Sequence, residues 1–160
     1  MTGINSTIEA FTGKQAIRVL ALTLDHSDPL PDPGQLRAMD SGLDQAITTS
    51  TELADYAETA DHVGDPGDLA KATLLHLAAI RPELVPVITQ AARLPDDVTR
   101  FEPATLAVGA LVILALQTEV KLTRNAQGKW TFTLHKQPMR DSTLGQVISK
   151  LIALYRAGGS

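Results

Sequence analysis

The chain has no cysteine among its 160 residues. A disulfide framework, a thiol nucleophile and a thiolate metal site are therefore excluded, and the composition suits a reducing compartment. Long hydrophobic runs are also lacking. The most apolar stretch, Ala104 to Leu116, covers 13 residues, short of the roughly 20 that a spanning helix requires. It reads as a helix buried in a protein core. Met1 to Ser6 shows neither the basic nor the apolar region of a signal peptide, so the expected location is cytoplasmic. Catalytic signatures are missing too. There is no nucleophile elbow, no zinc-protease pair of histidines, no phosphate loop and no dinucleotide glycine fingerprint. No enzyme chemistry, cofactor or metal is expected on these grounds.

What is present is ordinary globular material. Hydrophobic residues make up 44% and charged residues 20%, which separates the chain from disordered sequences. The length suits a single domain over residues 1–160, with an N-terminal helical appendage over 1–30 as a variant of that plan. A domain of this size buries roughly 70% of the surface its unfolded chain exposes and needs no metal to fold. Charge is unevenly placed. Residues 1–118 hold 7 Lys and Arg against 16 Asp and Glu, a charge of −9, whereas residues 119–160 carry +5. Such asymmetry marks either a basic interaction surface or two halves that attract each other.

Hydrophobic spacing predicts mostly helix. The first runs from Ser6 to Leu24, with Ser6 and Glu9 as a capping box and Ile8, Phe11, Ile17, Leu20 and Leu24 on one stripe. Within it, Ile17 to Leu24 read alone also suits a buried strand. Asp25 to Gly34 is a proline-rich loop. A polar helix follows from Pro33 to Thr59, breaking near Ser50, with an acidic row at Asp40, Asp44, Glu52, Asp55 and Glu58. Asp61 to Gly67 is a second loop. Asp65 with Pro66 then caps and opens a helix carrying Leu69, Leu74, Leu77 and Ile80. Arg81 and Pro82 interrupt it. A further helix runs from Leu84 to Arg93, its first turn disturbed by Pro86. Pro103 opens the helix from Ala104 to Gln117, apolar all round and therefore buried on every side.

At Thr118 the period changes from helical to two. Glu119 to Arg124 and Trp130 to His135 alternate, and Asn125-Ala126-Gln127-Gly128 between them is a turn with glycine where a left-handed backbone is needed. Val120, Leu122, Trp130, Phe132 and Leu134 are assigned to the core face; Lys121, Thr123, Thr131, Thr133 and His135 face outward. After a basic connector, a last helix from Asp141 to Ala157 shows Leu144, Val147, Ile148, Leu151, Ile152 and Tyr155 on one face, with Thr143 and Gln146 as a capping box. The fold class is mainly α: a helical bundle with one antiparallel hairpin, about 119–135, before the C-terminal helix. Residues 103–157 form an α-β-β-α subregion.

Candidate chemistry is sparse. Asp25, His26 and Asp28, with Asp61, His62, Asp65 and Asp68, could supply nitrogen and oxygen ligands to a metal if the fold joined the two loops. Their spacing matches no recognised set, and Asp is common in loops for its turn and capping chemistry. His76 and His135 have no acid, base or nucleophile beside them in sequence, so a structural or solvent-facing role is expected. The basic residues Lys121, Arg124, Lys129, Lys136, Arg140, Lys150 and Arg156 gather in the C-terminal part. With the outward hairpin side they could track phosphates or meet an acidic protein surface.

From Leu111 to Tyr155 an apolar helix runs into Gln117-Thr118-Glu119-Val120, then Gly128-Lys129-Trp130, then Lys136-Gln137-Pro138 and a capped helix. This block resembles small effector-associated proteins of bacterial conflict systems. The Ala, Asp, Leu and Arg content would suit an actinobacterial source. The resemblance implies a non-enzymatic adaptor that couples a sensor to an effector. The expected partner is another protein, or a second copy of the chain, met through Lys121, Arg124, Lys129, Lys136, Arg140, Tyr155 and Trp130. Nucleic-acid binding by the basic hairpin is one alternative. Release of helix 104–116 into a membrane is another.

Overall fold

The computed structural model describes residues 3–27, 32–49, 66–93, 108–116, 119–134 and 143–158. They form seven α-helices and one two-stranded antiparallel hairpin, which precedes the C-terminal helix. The helices are α1 (Ile4–Glu9), α2 (Gly13–Ser27), α3 (Pro33–Thr49), α4 (Pro66–Ile80), α5 (Val85–Arg93), α6 (Val108–Ala115) and α7 (Thr143–Gly158). The strands are β1 (Val120–Arg124) and β2 (Trp130–Leu134). The expected mainly helical bundle with one hairpin is thus the fold observed.

The first helix differs from expectation. In place of one helix from Ser6, α1 starts after Gly3, with no side-chain cap, and the chain breaks at Ala10–Thr12. The break turns Phe11 into the core. Thr12 restarts the chain as helix, its hydroxyl accepting the Gln15 N–H at 3.1 Å, which satisfies one of the donors a helix start leaves open. Ile17 to Leu24, where strand was the alternative, is helical, and α2 continues through Asp25 and His26 to Ser27. Asp32 caps α3 by accepting the Gln35 N–H at 2.8 Å. The expected continuation of α3 past Thr49 lies outside the described residues.

The helix α4 is the hub. It packs most extensively on α2 and α7, and also on α1 and α6. Residues 4–27 therefore pack into the bundle through α4. Lys71 on α4 donates to the Glu9 carbonyl at 3.4 Å, tying down the end of α1. At Arg81 the chain turns sharply. A 3₁₀ turn at Pro82–Leu84 leads into α5, and the axes of the two segments differ by 118°. The interruption and the irregular first turn follow from prolines that lack an amide donor.

The helix α6 is the spine. Val108 to Ile113 and Ala115 are all buried, and α2, α3 and α4 close around it. Each fully buried leucine, such as Leu111, contributes about 1.5–3 kcal/mol. No single helix among the described residues is long and apolar enough to cross a membrane.

Candidate functional site

The hairpin grows directly out of the spine. The Leu116 carbonyl accepts both the Glu119 and Val120 N–H groups, at 2.8 and 2.9 Å. The turn at the far end is built as its sequence requires. Gly128 has φ of +82°, a region costly for residues with a Cβ. Its N–H donates to the Asn125 carbonyl at 3.0 Å. The Asn125 side-chain oxygen accepts the Gln127 and Lys129 N–H groups, both at 2.9 Å.

Register pairs Val120 with Leu134, Lys121 with Thr133, Leu122 with Phe132, Thr123 with Thr131 and Arg124 with Trp130. Side chains alternate between faces. Val120 and Phe132 are buried, and Leu122 and Trp130 are half-buried against the bundle. The Leu134 side chain lies outside the described set. Trp130 sits against Gly42 on α3: a Cβ there would lie 2.7 Å from Cε3 of the indole and nearer still to Cδ2 and Cε2. The hairpin is thus held by an aromatic ring laid on a glycine.

The other face carries Lys121, Thr131 and Thr133, all exposed, with Thr123 half-buried. The hydroxyls of Thr123 and Thr131 are 3.1 Å apart and hydrogen-bonded. Arg124 is exposed but belongs by alternation to the bundle side, its guanidinium carbon 5.9 Å from the Trp130 ring centroid. Such stacking contributes about 0.5–1 kcal/mol at an exposed site. Lys129 is exposed beside the turn. The basic residues expected to act together are therefore spread along the hairpin: Lys121 near its root on the outward face, Arg124 at the turn end over Trp130, and Lys129 beyond the turn. Lys136, Arg140 and His135 lie outside the described residues, as does the side chain of Tyr155 on α7.

One polar cluster was not foreseen. His76 is buried on α4. Its Nδ1 is 2.8 Å from the Thr143 hydroxyl at the start of α7, and its Nε2 is 3.9 Å from Glu119 Oε1 at the root of the hairpin. Among the described residues, Nε2 and the other Glu119 oxygen have no hydrogen-bond partner. Burial lowers the His76 pKa from its ordinary 6.5 and outweighs the opposing attraction of Glu119. The ring is thus neutral near pH 7, and Nδ1 accepts the Thr143 hydroxyl when the proton sits on Nε2. This engages the hydroxyl expected to form a capping box with Gln146. At 3.9 Å the carboxylate is beyond hydrogen-bond reach. The cluster serves as a joint where α4, α7 and the hairpin root meet.

The residues of the two Asp/His loops are described only in part. Asp25 and His26 lie on α2, Asp68 lies on α4, and Asp28, Asp61, His62 and Asp65 are outside the described residues. Among the described residues no group of three or more His, Asp or Glu side chains could hold a metal ion.

No protein-family model, curated protein or solved structure matches the chain significantly.

Proposed function

We propose that the protein is a protein–protein interaction module, an adaptor whose working surface is the exposed side and end of the hairpin. The observation that carries this reading is the asymmetry of that hairpin. Val120, Phe132 and Trp130 fix one face to the bundle, while Lys121, Arg124, Lys129, Thr131 and Thr133 remain exposed. A presented, pre-organised surface loses little conformational freedom on binding. The three described cations make it complementary to an acidic partner and would steer encounter. Their scatter over two faces suits discrete contacts on a protein better than a stripe along phosphates. The helix–hairpin–helix block that carries the resemblance to conflict-system proteins supports a regulatory role between sensor and effector.

The test is a tagged pull-down from a bacterial lysate, with and without nuclease, comparing the wild-type chain with the triple variant K121E/R124E/K129E. The reading expects one protein recovered stoichiometrically by the wild type, insensitive to nuclease and lost with the variant. Equal recovery by the variant refutes the assignment of this surface. Loss on nuclease treatment replaces it with nucleic-acid binding.

A further inference from the structure

Backbone groups on an antiparallel pair alternate between facing the partner strand and facing away. The Asn125 N–H donates to the Lys129 carbonyl at 2.9 Å, which makes that pair a hydrogen-bonded one. Counting back along the register, Thr123–Thr131 and Lys121–Thr133 are hydrogen-bonded pairs. Arg124–Trp130 and Leu122–Phe132 are not. Leu122 and Arg124 therefore aim their N–H and C=O groups off the outer side of β1. Phe132 and Trp130 aim theirs off the outer side of β2.

The two edges are not equivalent. Phe132 is buried, and α3 packs along β2 far more than along β1. On β1, Leu122 is half-buried and Arg124 exposed, and among the described residues no backbone partner meets their outward groups. Among the described residues, the ladder of β1 is the less covered of the two. Its surroundings are basic: Lys121 lies on its outward face, Arg124 at its end and Lys129 across the turn, all exposed.

Resting on the reading of the hairpin as an interaction surface, we propose that β1 accepts an added strand from a protein partner. The partner's segment is extended and alternates apolar with acidic residues. Strand addition supplies affinity through main-chain hydrogen bonds, and alternate side chains supply specificity. An acidic residue would stand beside Lys121 on the outward face, within the roughly 5 Å of neighbouring strands, and an apolar one beside Leu122 on the bundle face. A second copy of this chain fits poorly. Pairing two β1 edges would bring Lys121 and Arg124 of each copy against like charge, and an edge lysine is a common device against such pairing.

The experiment titrates the full ¹⁵N-labelled chain with a capped nine-residue peptide of alternating valine and glutamate. A control is the same peptide N-methylated at three consecutive central residues, so that charge and apolar content remain but main-chain donors are lost. The expected result is slowed amide exchange at Leu122 and Arg124, at least tenfold weaker binding of the methylated peptide, and about tenfold weaker binding to Lys121→Glu. Equal binding of both peptides, protection confined to β2, or no binding at millimolar peptide overturns strand addition. Protection of the same amides that grows with protein concentration alone assigns the edge to self-association and also overturns it. The two proposals fail separately. A partner lost from the pull-down with the charge variants, but with no protection at Leu122 and Arg124, leaves the surface standing and removes the added strand.

Discussion

The contact between Gly42 and Trp130 makes the sharpest demand on this architecture, and Gly42→Ala tests it. A Cβ at position 42 would lie 2.7 Å from Cε3 of the indole and closer to two further ring carbons. Carbon atoms rest at about 3.5–4.0 Å, so the ring would have to retreat by more than about 1 Å. Gly42 is buried in mid-α3, and the displaced indole also carries the stacked Arg124. Overpacking of this kind costs about 1–3 kcal/mol. Replacing a helical glycine by alanine returns about 1 kcal/mol. The expected net loss is up to about 2 kcal/mol, and at about 2–4 °C per kcal/mol for a chain of this size Tm falls by up to about 8 °C. Circular dichroism reads the unfolding. Fluorescence reads the ring directly, because Trp130 is the sole tryptophan, and its emission shifts red as it leaves its seat. Against a Trp130→Ala background the sign reverses: Gly42→Ala then stabilises by about 1 kcal/mol through helix propensity alone. An identical effect in both backgrounds would refute the claim that the indole occupies the space over Gly42.

Two further predictions concern the joint and the turn. The His76 pKa is lowered in the folded chain, so on acidification the unfolded chain takes up this proton first, near 6.5. Stability falls from there down to the lowered folded value and then levels off, with a slope from this group of at most about 1.4 kcal/mol per pH unit. His76→Leu should remove that slope from Tm measured between pH 8 and 5, and Glu119→Gln, which deletes the opposing attraction, should steepen it. A wild type that gains stability relative to His76→Leu on acidification would show that Glu119 outweighs burial. At the turn, Gly128→Ala forces a side chain into φ near +82° and should cost about 1–2 kcal/mol. Gly128→Asn should cost less, because Asn tolerates this region; equal denaturant midpoints for the two would count against a backbone origin.

The parts of this fold legible in the sequence are those where a single local rule decides. An apolar run of helical length with no polar face can only be a buried helix, and α6 is one. Strict alternation around Asn125–Gly128 specified the hairpin, its two faces and its glycine. The stripe of Ile8, Phe11 and Ile17 does not carry across Ala10–Thr12, because at 3.6 residues per turn Ile17 would sit about 180° round an unbroken helix from Ile8. That phase jump, with Thr12 and Gly13 as a helix cap, was the available signal, read as mid-helix. The His76 joint was beyond local reading altogether. Thr143 lies 67 residues further along the chain, and the acid that approaches the ring is the one opening the hairpin, placed there by the Leu116 carbonyl. The basic cluster was legible as composition but not as geometry, since pleating sends Lys121 and Arg124 to opposite faces.

The burial of α6 also orders events during synthesis. The faces of α2, α3 and α4 that close around it emerge first, and the filler comes later in the chain. At about 5–20 residues per second, the stretch from Arg93 to Leu116 takes on the order of 1–5 s to make. Through that interval the nascent N-terminal helices hold an open apolar groove that nothing yet made can fill. A chain stalled before Val108 should therefore engage a holding chaperone, and one stalled after Leu116 less so, since it still lacks only α7 and the hairpin against the bundle.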